Sequence, residues 1–166
     1  MLTKSALPAL FLLASGPALA TVPESAGSFQ DWSAWVYKEG GRPHCYIYAQ
    51  AVEKAPARLD HGDVSFFVRS VRQAATKTEA SLNVGYDFQP GSTVRAAIGD
   101  ETFQLMVKGQ NAWLPTAEEE DDLLAAMKGG SEMSIRATSR RGNPTSYTFS
   151  LDGVTAAIQQ MQKQCP

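Results

Sequence analysis

Cysteine and histidine are both scarce in this chain. Its 166 residues hold two cysteines, Cys45 and Cys165, and two histidines, His44 and His61. His61 lies between Asp60 and Asp63, but no second ligand cluster accompanies it, so the stretch reads as a polar turn and no metal is expected. No C-x-x-C, H-E-x-x-H, G-x-S-x-G, P-loop or G-x-G-x-x-G pattern occurs, which removes the nucleotide, zinc and nucleophile signatures, and no cofactor is expected. No serine has a nearby histidine and carboxylate to orient it. No catalytic residue can be named, and the chain reads as a non-enzyme. Paired carboxylates that converge only in space stay open, so an envelope hydrolase is the alternative.

Basic excess is also lacking. Fifteen Lys and Arg stand against seventeen Asp and Glu, a net charge of −2. Nucleic-acid-binding domains usually carry a basic surplus, so no nucleic-acid partner is expected. Long apolar runs are missing as well. The one run worth weighing, Leu7 to Ala14, is broken by Pro8 and falls far short of the roughly 20 residues a membrane span needs. Lys4 precedes it and Ala18-Leu19-Ala20 follows. That order reads as a secretory signal peptide over residues 1–20, cleaved after Ala20. No cysteine lies near the cleavage point, which excludes a lipoprotein signal. Residues 21–166 are then one domain of ordinary size, periplasmic or secreted, with no transmembrane segment. In an oxidising compartment an even pair of cysteines is expected to form one disulfide, Cys45–Cys165.

What the chain does have is alternation. From Ser81 to Val107, Leu82, Val84, Tyr86 and Phe88, then Val94, Ala96 and Ile98, then Phe103, Leu105 and Val107 alternate with polar or small residues. Turns at Gln89–Ser92 and Gly99-Asp100 separate them, which predicts a central meander of three antiparallel strands. Trp32–Tyr37 and Cys45–Tyr48 read as a hairpin around Lys38–Pro43, Val64–Val71 as a strand, and Gln50–Asp63 as a loop. Phe66-Phe67 suggests that both faces of the Val64–Val71 strand are partly covered. Thr116, with Glu119 three residues on, opens a helix in which Leu123, Leu124 and Met127 form the buried stripe. Acidic Glu118–Asp122 suits the positive end of its dipole, which explains that cluster without a calcium ion. Met133–Ser139 and Thr145–Leu151 read as the last strands. Asp152 is expected to cap a final helix with Val154, Ala157, Ile158 and Met161 on one face. The fold expected is a mainly β, antiparallel sandwich or flattened barrel with two short helices.

Binding hot spots favour Trp, Tyr and Arg, and function concentrates in connections on rigid β scaffolds. Trp113, at a turn-to-helix junction, and Arg140-Arg141, in a tight turn, are therefore the candidate partner-binding residues. The competing roles are plain: Trp113 as a staple between helix and sheet, the arginines as a solvated turn.

Several fragments taken in order resemble one family. Phe29-Gln30-Asp31-Trp32, Cys45-Tyr46, Gly85-Tyr86, Pro90-Gly91-Ser92 and Ala112-Trp113 come first. Ala126–Gly129, Ser139–Gly142, Ser150–Gly153, Ala156-Ala157 and Cys165 follow. Together they resemble the invasion-associated locus B family of exported bacterial proteins. Asn143-Pro144 departs from that pattern where a Thr follows the Arg-Gly pair, and Phe149 where a Tyr precedes Ser-Leu. A pair of closely spaced cysteines near the start of some members is missing, with Tyr37 near the place of the first. The resemblance implies a periplasmic or secreted, disulfide-bonded, mainly β protein, and it supplies no catalytic residues. Some members are linked to host-cell invasion, a role that does not transfer to this chain. The function expected is that of an exported non-enzymatic binding protein of the bacterial envelope, with an unknown protein or envelope component as partner. A purely structural envelope component is the remaining reading.

Overall fold

The computed structural model describes residues 22–71 and 77–166. The signal-peptide reading, and most of the polar connection read over residues 72–79, lie outside the described residues. The chain runs β1 (Glu24–Phe29), β2 (Trp32–Glu39), β3 (Arg42–Gln50), β4 (Glu53–Ala55), β5 (Ser65–Ser70) and β6 (Thr78–Asn83). It continues through β7 (Thr93–Ile98), β8 (Glu101–Lys108), β9 (Asn111–Trp113), α1 (Ala117–Gly129), β10 (Glu132–Thr138), β11 (Pro144–Ser150) and α2 (Val154–Gln164). The strands form one antiparallel sheet in the order β1-β2-β3-β5-β6-β9-β8-β7-β10-β11-β4. The sheet is not closed into a barrel. The mainly β, antiparallel expectation with two helices holds, built from a single bent sheet.

The bend follows from connectivity. β3 and β4 are joined by Ala51-Val52, yet seven strands separate them in the sheet. Only a sheet that curls back on itself brings its β4 edge to the end of β3. Contacts across the fold mark the closure. Phe66 on β5 meets Phe149 on β11 edge to face at 5.9 Å, a favourable geometry for aromatic pairs. The Trp32 indole N–H donates to Ser150 O at 3.0 Å. Period-2 alternation puts Ile47, Phe66, Val68, Leu82, Leu105, Ile135, Tyr147 and Phe149 into the enclosed core, all nearly solvent-free.

α2 covers the inner faces of β1, β2 and β3. Its Val154, Ala157, Ile158 and Met161 are buried, as the spacing predicts. Its end is fixed by the Cys45–Cys165 disulfide, Cα–Cα 6.0 Å. Asp152 does not cap the helix. The cap is Gly153 at φ 89°, with no side-chain capping bond. A Cβ there would collide with the Phe29 carbonyl, so close packing against the β1–β2 turn takes precedence over side-chain capping. α1 follows expectation more closely. The Glu119 N–H donates to Thr116 Oγ1 (3.4 Å), and Thr116 Oγ1 donates to Glu119 Oε2 (3.0 Å).

Two further expectations need correction. The three-strand meander does not exist. β7 and β8 form a hairpin, but β6 ends at Asn83 and β9 lies between β6 and β8. After Asn83 the chain leaves the ladder and bonds elsewhere: the Val84, Gly85 and Phe88 N–H groups donate to the Gln110, His61 and Gly109 carbonyls. Val84 and Phe88 remain buried, so the apolar period continued where the strand did not. The loop read over Gln50–Asp63 also contains β4, whose three residues pair with Ser146–Thr148 at the far edge.

Glu120 is buried at 4 % exposure among the apolar residues of α1. β9 pairs only with Ser81–Asn83 of β6, and the Ala80 N–H donates instead to Glu120 Oε2 at 2.8 Å. Burial pushes this carboxyl up to about 7; the Ala80 bond opposes that, and Glu79, Asp121 and Glu119 add to it.

Two outcomes follow from this fold. A folded-state pKa above the unfolded one means that the native state holds the proton more tightly. The contribution of Glu120 is then fully present below about pH 4.5 and is lost as pH rises through about 7. Glu120→Gln should flatten that decline and be the more stable protein at pH 8, by at most about 3 kcal/mol; urea titrations across pH measure it. Replacing both cysteines by serine releases a link over 120 residues. It should lower unfolding free energy by about 2–5 kcal/mol in denaturant titration.

Candidate functional site

The alternation that fills the core also decides what faces out. Opposite Ala34, Ile47 and Phe66 on their strands stand Trp35 on β2, Tyr46 and Tyr48 on β3, and Phe67 on β5, all half-buried. The register aligns one row across six strands of this outer face: Tyr48 opposite Phe67, Phe67 opposite Ser81, Ser81 opposite Trp113, Trp113 opposite Met106, and Met106 opposite Thr93. Met106 is 46 % exposed. A second series of rings runs alongside. Tyr48 stacks on Phe67 at 5.5 Å, Phe67 lies 6.1 Å from Tyr46, Tyr46 lies 6.4 Å from Tyr37, and Tyr37 stacks on His44 at 5.2 Å.

The polar groups of this face are mostly neutral or neutralised. Arg69 Nε and Nη2 donate to Glu79 Oε1 and Oε2, both at 2.9 Å, a bidentate pair that raises the arginine pKa. Burial, followed by Tyr48 and Tyr37, raises Tyr46 and keeps its hydroxyl protonated. Among the described residues the buried Trp35 indole N–H has no acceptor. The surface is therefore apolar in its flat areas and carries hydroxyl tips, with little net charge.

A cleft of about 470 Å³ lies at the β10–β11 turn, lined by His61, Tyr86, Asp87, Arg140, Arg141 and Asn143 among others. The turn is tied down from several sides. The Arg140 N–H donates to Asp87 O at 2.8 Å, the Gly142 N–H to Ser139 O, and the Asn143 N–H to Ser139 Oγ at 3.2 Å. Arg140 Nη2 pairs with Asp87 Oδ2 at 3.0 Å. Arg141 is exposed and has no side-chain partner among the described residues.

Under the cleft runs a buried hydrogen-bond chain. His61 Nε2 meets Pro56 O at 3.0 Å. That carbonyl can only accept, so Nε2 carries a proton. His61 Nδ1 meets Tyr147 Oη at 3.1 Å, Tyr147 Oη meets Tyr86 Oη at 2.8 Å, and Tyr86 Oη meets Thr145 Oγ1 at 2.6 Å. Burial, assisted by Tyr86, raises the Tyr147 pKa strongly. Both ring nitrogens of His61 are thus engaged with protein groups, and Asp87 is engaged with Arg140. Gly62 and Gly85 make the crossing possible: a Cβ on either would fall under 3 Å from the other's backbone. The Gly85 N–H donates to His61 O across the same contact.

Trp113, then, belongs to the aromatic row, where it sits half-buried beside Ser81 and Met106. Arg140 and Arg141 lie together in the cleft, and Trp113 does not line it. The two candidate regions are separate. Sequence reasoning missed Trp35, Tyr46, Tyr48, Phe67 and Met106. A signal was present, since Trp35 and Tyr37, and Tyr46 and Tyr48, occupy every second position on strands whose other positions are also apolar. Such a strand has both faces apolar, and only the tertiary fold tells which face is left without a layer.

Comparison with known proteins agrees with this architecture. No curated protein sequence matches the chain. The crystal structure of invasion associated protein B from Bartonella henselae is similar in fold, with a TM-score of 0.61 at 16 % identity over 86 % of this chain and 95 % of that one. The sequence pattern of the Invasion associated locus B (IalB) protein family matches residues 32–162, most of the chain. The chain belongs to the invasion associated locus B family.

Proposed function

We propose that the chain is an exported, non-enzymatic binding protein of the bacterial envelope, and that it holds its partner on the outer aromatic row. One observation carries this reading: Tyr48, Phe67, Trp113 and Met106 align on a single register line of an uncovered sheet face. Outer faces of antiparallel sheets ordinarily carry polar residues. A row of large aromatics with hydroxyl tips is instead the composition of interaction hot spots. The matching partner is a protein surface presenting apolar groups and little charge, because Arg69 is already neutralised by Glu79. The disulfide supports a location outside the reducing cytosol. In the described residues no helix is long and apolar enough to cross a membrane. The engagement of His61 and Asp87 with protein groups argues against a hydrolase built in the cleft. The Arg140-Arg141 turn, with Arg141 unpaired, is proposed as a second contact.

Met106→Glu places a charge in the row without touching the core. It should leave thermal stability within about 0.5 kcal/mol of the parent and abolish partner capture by crosslinking in intact cells. Unchanged capture would move the partner off this face. Replacing Arg140 and Arg141 by alanine loses one exposed ion pair, which costs about 1 kcal/mol or less. Weakened capture is expected; full capture would remove the turn from the partner surface.

A further inference from the structure

The outer face changes character beyond Met106. β7 and β10 pair with Arg95 directly opposite Arg136. Like charges at directly opposed positions destabilise a ladder. The flanking positions in that row are Gln104 on β8 and Ser146 on β11, so no carboxylate offsets them there. Arg58, in the segment after β4, lines the same groove as Arg95 and Arg136, with Thr93, Thr138 and Ser146 supplying hydroxyls. The groove is shallow and open to solvent, with a volume of about 620 Å³, room for a small ligand. No acidic residue lines it. Glu53, the nearest carboxylate on β4 in register, lies opposite Thr148 and accepts from its hydroxyl at 3.4 Å. Among the described residues none of the three arginine side chains has an ion-pair or hydrogen-bond partner.

Three unpaired guanidinium groups around one concavity, in a chain of net charge −2, form a local field opposite to that of the whole molecule. Two of them are held face to face, an arrangement that costs stability, with no carboxylate paired to either among the described residues. We propose that this groove binds a small polyanion carrying two or more phosphate or carboxylate groups. Each guanidinium offers a planar fork to one such group, and the hydroxyls of Thr93, Thr138 and Ser146 supply neutral donors between them. A ligand bridging Arg95 and Arg136 converts their repulsion into two attractive pairs. A long nucleic acid is a poorer occupant, because the chain as a whole carries a net charge of −2. Thr93 ends the aromatic row, but the three arginines lie outside that row and outside the Arg140-Arg141 turn, so the site stands or falls separately from the proposed partner surface.

The test is calorimetric titration and thermal melting of the full mature chain at low salt with pyrophosphate, citrate and inorganic phosphate. Pyrophosphate and citrate should bind and raise Tm, as any ligand selective for the native state does, while inorganic phosphate, with one group, binds more weakly. The relative affinities of pyrophosphate and citrate decide which oxyanion the groove prefers. Arg95→Gln should weaken binding roughly tenfold, and Arg95→Gln with Arg136→Gln should abolish it. The same double variant, free of ligand, should melt no lower than the parent, since it removes opposed like charges. Arg140→Ala with Arg141→Ala should bind the anions as the parent does. No heat and no Tm rise with either polyanion would overturn the proposal. So would an equal rise in the Arg95→Gln, Arg136→Gln variant, which would mark a nonspecific ionic effect.

Discussion

The link Ala51-Val52 between β3 and β4 is the constraint on which the rest of the architecture depends. Two residues of extended chain span only about 7 Å, yet they connect a strand deep in one half of the sheet to the strand at the opposite edge. An antiparallel sheet of eleven strands satisfies this only by bending over on itself. Once bent, it encloses one core, which Phe66, Phe149, Trp32 and Tyr147 fill from facing walls. The remaining open area, over the inner faces of β1 to β3, is closed by α2. The helix is held at its start by the tight approach of Gly153 to Phe29 and at its end by Cys165 bonded to Cys45.

Bending a sheet around its core leaves the outer face without a second layer. In this protein that face is divided chemically. Over β2, β3, β5, β9 and β8 it carries Trp35, Tyr46, Tyr48, Phe67, Trp113 and Met106; over β7 and β10 it carries Arg95 and Arg136. Thr93 ends the aromatic row and also lines the arginine groove, so the two areas adjoin. Neither arrangement serves the core. Aromatic area left half-open and like charges set opposite each other both lower the stability or solubility of the isolated domain, and such features are characteristic of surfaces shaped by binding. The cleft at the β10–β11 turn differs. Its polar groups are mostly bonded to one another, from His61 through Tyr147 and Tyr86 to Thr145. It reads chiefly as a buried network that locks the Tyr86–Phe88 segment to β11, with the Arg141 side chain unpaired at its rim among the described residues.

Much of this was legible in the residues. Alternation in Val94–Ile98 and Phe103–Val107 identified strands and their buried faces, because a strand between core and water must repeat every second residue, and the strands read over Met133–Ser139 and Thr145–Leu151 match β10 and β11 to within a residue or two at each end. Thr116 with Glu119, and the stripe of Val154, Ala157, Ile158 and Met161, located both helices by local hydrogen bonding and periodicity. The pairing of Cys45 with Cys165 was expected from an even count of two in a chain read as exported, and the bond is present. The family fragments, spread from Phe29 to Cys165, carried the same architecture as an expectation.

Other features are non-local and left no local signal. Val84–Phe88 kept a strand's alternation while its backbone bonded to Gln110, His61 and Gly109, partners chosen by where other segments pass. β4 is three residues long and exists only because β11 offers an unpaired edge. Gly153 caps α2 because Phe29, far away in sequence, leaves no room for a Cβ. The proposed partner surface follows the same rule. The sequence by itself determined which residues alternate, and so which could be inside or outside. Strand order, set by backbone pairing between distant segments, decided that Trp113 aligns with Phe67 and Met106, and that Arg95 meets Arg136. Register between strands is a property of the assembled sheet, since each ladder hydrogen bond joins residues whose separation in sequence the local pattern does not encode.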